Sequence, residues 1–166
     1  MGTAVVGILK KNGGAKTTVF LLRAIPAIII AFLLTGLLDR VVWNITESVD
    51  HRIGFISSDA PVKGDYVNFE FSHPLVLDGE EVRLTKKYIC GFGDVIQTKG
   101  RDLYCNGEKL ATALEYTESG KHLDVFNWNG PIPVGAVFVL GDANESFDSR
   151  YWGFVDSKKL NKVNTF

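Results

Sequence analysis

Surplus charge is what this 166-residue chain most lacks: 18 Lys and Arg stand against 19 Asp and Glu, a formal net of -1. Nucleic acid is thereby excluded as a partner, because its binding draws on a broad basic field. Cysteine is scarce too. Cys90 and Cys105 are the only two, so at most one intrachain bridge can form. Of the three histidines, His51, His73 and His122, none sits in a nucleophile setting, and no Gly-x-Ser-x-Gly elbow occurs. A Ser-His-Asp triad is therefore not expected, and the three imidazoles read as surface groups. No internal repeat or low-complexity tract is present, so one core is expected at this length. Asp142-Ala143-Asn144-Glu145-Ser146 spaces oxygen ligands as a calcium loop would, but an EF-hand needs Gly sixth and Glu twelfth. Those positions hold Phe147 and Gly153. Neither a metal nor a cofactor is expected.

The apolar residues concentrate in one block. Val19 to Leu38 is nearly all apolar, and a helix of about 20 residues rising about 1.5 Å each covers the roughly 30 Å of bilayer hydrocarbon. Its one charge, Arg23, lies near the first end and can snorkel to the headgroups. Lys10, Lys11, Lys16 and Arg23 precede the apolar centre with no acid among them; Asp39, Arg40, Glu47, Asp50 and Arg52 follow it with mixed sign. The positive-inside bias puts the N-terminus in the cytoplasm and everything after Asp39 outside it. A cleaved signal would need a shorter apolar core and a small-x-small site, which Asp39-Arg40-Val41-Val42-Trp43 does not offer. The expected organisation is a Gly-rich, basic cytoplasmic tail over 1–17, a transmembrane helix over 18–38, and an extracytoplasmic domain over 39–166. In an oxidising compartment Cys90 and Cys105 are either bridged or a pair of buried thiols.

Beyond Trp43 the chain consists of short β-type runs between turn residues. Tyr66-Val67-Asn68-Phe69-Glu70-Phe71 alternates with period two, Asp94 to Ile96 and Leu103 to Cys105 flank a turn at Lys99-Gly100, and Val134 to Leu140 is a short β-branched run. Turn signals recur at Gly64-Asp65, Asp78-Gly79, Asn106-Gly107 and Asn129-Gly130-Pro131. Helix is expected only as a short turn within Asp156 to Asn161. The stretch Gly141 to Phe154 carries neither periodicity. The fold class is mainly β, an antiparallel, barrel-like domain behind one N-terminal transmembrane helix.

With no histidine base, a hydroxyl nucleophile can still be activated by a lysine, provided that burial lowers the amine's pKa until it can accept the hydroxyl proton. Leu84-Thr85-Lys86-Lys87-Tyr88-Ile89 offers a place for it. Side chains alternate across a strand, so Lys86 and Lys87 face opposite ways and one can be buried. The alternative is two solvated lysines on an edge strand.

Three segments in order resemble the type I signal peptidases. Asn44-Ile45-Thr46-Glu47-Ser48 stands shortly after the apolar block, where that family keeps its nucleophile. "KKYICGFGD", Lys86 to Asp94, resembles the segment of its catalytic lysine. Gly141-Asp142, followed by Ser146-Phe147-Asp148-Ser149-Arg150-Tyr151-Trp152-Gly153, resembles its last signature. Within the family, the short chain with one anchor is most similar to the TraF-type peptidases of conjugative plasmid transfer. The sequence departs from the pattern at Asp50, where many relatives carry Pro, at Cys90 and Phe92, and in a Gly141 to Glu145 segment one residue shorter than the housekeeping form.

The resemblance implies acyl transfer through an ester on Ser48, with Lys86 as general base and Ser146 orienting the lysine amine. Thr46 would help the Ser48 backbone N–H hold the oxyanion. Val49, Ile53, Leu84 and Thr85 would line a groove for small side chains, Asp148 and Arg150 would form a supporting ion pair, and an extended substrate would pair with the Leu84 to Lys86 edge. The partners implied are a precursor polypeptide, a signal peptide or pilin precursor, together with the lipid bilayer and components of a conjugation or type IV secretion apparatus. The location implied is the bacterial inner membrane with the catalytic domain periplasmic. Asn44-Ile45-Thr46 and Asn144-Glu145-Ser146 match the glycosylation sequon, but a glycan at either would block the site. Two alternatives stay open: an acyl transferase that cyclises a pilin, and a non-catalytic scaffold of a secretion channel.

Overall fold

The computed structural model describes residues 25, 26, 28–36, 41–43 and 53–165. The chain divides into two units, Met1–Asp39 and Arg40–Phe166. In the first, the described residues are helical. Among the described residues no helix is long and apolar enough to cross a membrane; the expected span over 18–38 lies partly outside them, and the expected tail over 1–17 wholly outside.

The second unit is mainly antiparallel β. Its strands are β1 (Val41–Trp43), β2 (Ile53–Ile56), β3 (Tyr66–Phe71), β4 (Val82–Cys90), β5 (Val95–Lys99), β6 (Asp102–Cys105), β7 (Glu108–Thr112), β8 (Asn129–Pro131), β9 (Ala136–Leu140), β10 (Val155–Asp156) and β11 (Asn161–Thr165). Seven of them form one sheet in the order β1-β2-β11-β3-β4-β9-β10, and four form a second in the order β7-β6-β5-β8. Within the larger sheet β1 and β10 are the two edges, so the described strands form open sheets and not a closed barrel.

The run within Val134 to Leu140 is continuously apolar because β9 is covered on both faces. Val137 and Val139 join Val67, Phe69 and Leu160 in one cluster, while Phe138 and Leu140 join Cys90, Ile96, Leu103, Cys105 and Ile132 in another. The alternation of β3 is tighter than expected, since Asn68 on its polar face is buried as well. Its amide donates to Thr85 Oγ1 (3.1 Å) and to the Leu84 carbonyl, which satisfies a group that would otherwise be costly to bury.

Asn106 and Gly107 both have positive φ, 52° and 87°, the requirement of the two-residue hairpin turn joining β6 to β7. Asn129-Gly130-Pro131, expected as a turn, is β8 instead. It pairs only with β5 at the edge of the smaller sheet, where a proline's missing N–H costs no ladder bond. A disulfide joins Cys90 of β4 to Cys105 of β6 and so ties the two sheets together. Asp94 lies beside the two sulfurs, but with both of them bridged the trio offers no thiolate to a metal.

Candidate active site

Lys86 lies opposite Val67 in the register of β3 with β4, with Leu84 and Tyr88 on the same face. Leu84 and Tyr88 pack against the cluster of Val67, Phe69, Val137, Val139 and Leu160. The Lys86 stem therefore runs through apolar surroundings, and the residue is 2% exposed. Lys87 points the other way, with its amine 5.7 Å from the centre of the Tyr66 ring.

Burial is the main influence on the Lys86 amine and lowers its pKa. Asp148 raises it, Arg150 lowers it and Asp142 raises it, leaving it at about 8 against an ordinary 10.5. The amine donates to Ser146 Oγ at 2.7 Å. Such an amine is neutral in about one molecule in ten at pH 7, far more often than an ordinary lysine, and in that form can take a proton.

Ser146 is held by a clamp built from Asp148 and Arg150. Asp148 is fully buried and its two oxygens accept from the Gly141 backbone N–H (2.9 Å) and from Arg150 Nε (2.8 Å). Arg150 in turn donates to the Asn144 carbonyl (2.8 Å), the Ala143 carbonyl and the Ser146 carbonyl (2.7 Å). One planar cation thus closes the loop from Gly141 to Ser146 onto itself. Asp148 also caps the short helix Ser149–Trp152, which sequence periodicity did not predict; a single turn is too brief to show a period, and the capping Asp148 was its only signal. Ser149 Oγ accepts from the Val139 N–H (2.9 Å) and fixes the helix to β9. At its end, Gly153 has φ 86°, and a Cβ there would come within 2.6 Å of the Phe126 ring, so no other residue fits without movement.

Thr85 faces away from Lys86, and its hydroxyl is occupied by Asn68, so only its backbone is available to a ligand. That backbone is well placed. Pairing of β9 with β4 starts at Lys87 opposite Leu140, so among the described strands none pairs with Val82 to Lys86 on that side. Tyr88 donates to the Asp65 carbonyl on the β3 side, which by alternation turns the N–H and C=O of Arg83 and Thr85 toward the open side. Ile53 opens β2 opposite Trp43 of β1. Thr46, Ser48 and Val49 belong to the connection between those strands and lie outside the described residues. Tyr66, which donates to Asp142 Oδ2 at 2.8 Å, and Asn68 are two supporting residues that sequence reasoning missed, because their partners are 76 and 17 positions away.

Comparison with known proteins decides the family. Residues 15–165 match the family described as signal peptidase, peptidase S26. The chain belongs to this family. It is 32% identical over 103 residues to a signal peptidase I of Bacillus licheniformis, covering 55% of each chain. It thus spans about half the length of that relative. A crystal structure of a signal peptidase I from Enterococcus faecalis aligns with 66% of this chain and all of its own, at 28% identity and a TM-score of 0.42. Membership of the S26 family agrees with the resemblance read from the three motifs.

Proposed function

We propose that the chain is a membrane-anchored serine endopeptidase in which Ser48 attacks the scissile carbonyl and Lys86 accepts its proton. The observation that carries this reading is the buried Lys86 amine, set on Ser146 Oγ at 2.7 Å with a pKa of about 8. An amine so buried is rare unless it has a chemical task. The Ser48 oxygen would form an ester with the leader's last carbonyl; the proton on Lys86 would pass to the departing amine, and water would then release the leader. Thr46 and the Ser48 N–H would hold the oxyanion. An extended substrate would pair with the Arg83 and Thr85 backbone on the open side of β4, with Leu84, Ile53 and Val49 beside it.

The substrate is a precursor polypeptide whose cleavage site is held at the bilayer. Chain length supports this, since Ser48 follows Asp39 by nine residues and so lies within roughly 30 Å of the end of the apolar block. The motif forms, Asn44 to Ser48 and Ser146 to Tyr151, support a TraF-type role, processing a pilin precursor in conjugative transfer at the bacterial inner membrane with the catalytic domain in the periplasm. Replacing Ser48 or Lys86 by Ala tests the dyad in cells that express the precursor. The reading predicts a folded protein with unprocessed precursor accumulating in both variants; normal processing by either one contradicts it.

A further inference from the structure

A cleft of about 810 Å³ lies against Ser146, the residue that accepts from the Lys86 amine. One wall comes from Ala143 and from Glu145 to Phe147; the other comes from the segment 114–123, with Leu114, Tyr116 and Glu118; Leu75 lines the cleft as well. Leu75, Leu114 and Tyr116 are exposed by 39% to 54%, so the apolar lining is not used up by internal packing.

Both walls are rigid for the same reason. Arg150 binds the carbonyls of Ala143, Asn144 and Ser146 in one wall. Arg101 binds the carbonyls of Ala113, Leu114 and Leu123 in the other. Tyr151 adds a second tie to that wall, its hydroxyl accepting from the Leu114 N–H, while its ring stacks on Phe147 of the first. A cleft held this way exists before any ligand arrives, and its volume lies within the range of ordinary ligand sites. Its acidic lining residues are Glu118 and Glu145, both exposed, and no Lys, Arg or His is among the lining.

We propose that this cleft is a specificity subsite that takes a segment of the precursor near the scissile bond carrying an apolar or aromatic side chain next to a Lys or Arg. The inference rests on the peptidase reading and deepens it. Contact with Ser146 puts the cleft beside the proposed base, so a polypeptide seated on Lys86 has a route into it. The apolar side chain packs against Leu75, Leu114 and Phe147, and the basic group meets Glu118 and Glu145. Those acids also reject a precursor with an acidic residue at the same position, through like-charge repulsion.

The test uses the full-length protein in detergent micelles and two peptide libraries that differ only in carrying Lys or Gln at each scanned position around a small-residue cleavage site. In wild type the Lys peptide should be favoured at one fixed position by about tenfold in kcat/KM, the scale of one well-placed charge contact. In the variant E118Q/E145Q that ratio should fall to near one. A wild type without a favoured position, or a ratio unchanged in the variant, overturns the subsite. The same peptides are also titrated by fluorescence anisotropy against Lys86→Ala, with and without E118Q/E145Q, so that binding is read without turnover. If wild type cleaves nothing and Lys-dependent binding is still lost with the two acids, the peptidase reading fails and the cleft stands. Binding indifferent to the acids overturns the cleft.

Discussion

Protonation of Lys86 sets two pH dependences of the same sign, because the amine that the proposed mechanism needs neutral is, when protonated, a charge that the folded state must bury. For catalysis, kcat/KM should rise with pH and level off with a midpoint near 8, the pKa at which burial leaves the amine. A profile flat from pH 6 to 9 would contradict the assignment of the base. For stability, the folded pKa of about 8 lies below the ordinary 10.5, so between those values the unfolded chain binds more protons and stability rises with pH. Below about 8 the full penalty applies, on the order of 3 kcal/mol by the usual conversion. Lys86→Met should therefore be more stable than wild type at pH 7 in urea unfolding, by up to about that amount, and the difference should close between pH 8 and 10.5. A Met variant no more stable than wild type at pH 7 would mean that the buried amine is not a burden.

At the scale of elements, the loop between β9 and the helix Ser149–Trp152 is shaped by one buried ion pair, Asp148 with Arg150. Removing the carboxylate leaves a guanidinium buried without its partner and frees the Gly141 N–H, so Asp148→Ala should lower unfolding free energy by about 3 to 5 kcal/mol. Thermal unfolding followed by circular dichroism measures this; a loss under 1 kcal/mol would show that the loop closes by other means. This loop also shows what sequence can carry. Asp148 and Arg150 were expected as a pair from the motif they share, and they are two residues apart. The one turn of helix that Asp148 caps has too few residues for a periodicity, and the carbonyls bound by Arg150 have no side-chain signature at all. β8 was hidden for the opposite reason: Asn129-Gly130-Pro131 has turn chemistry, and only its place at a sheet edge makes it a strand.

Across the whole molecule, the alternation of Tyr66 to Phe71, the lysine-bearing strand and the hairpin turns carried the mainly β class, since each is a local pattern with a local cause. The order of strands was not legible. β11 inserts between β2 and β3, although no strand was expected from the sequence at Asn161 to Thr165. The same holds for the site. Ser146 and Lys86 are 60 residues apart, and only the antiparallel pairing of β4 with β9, together with the clamp beyond it, brings them to 2.7 Å. The central claim is that this assembled chain makes an ester on Ser48 with the help of Lys86. The most direct measurement incubates the full-length protein with a peptide precursor, quenches it in acid during turnover, and maps the acylated residue by mass spectrometry. The account predicts the leader fragment on Ser48 in wild type and none in Lys86→Ala. An acyl group on another residue, or undiminished acylation of Ser48 without Lys86, would contradict it.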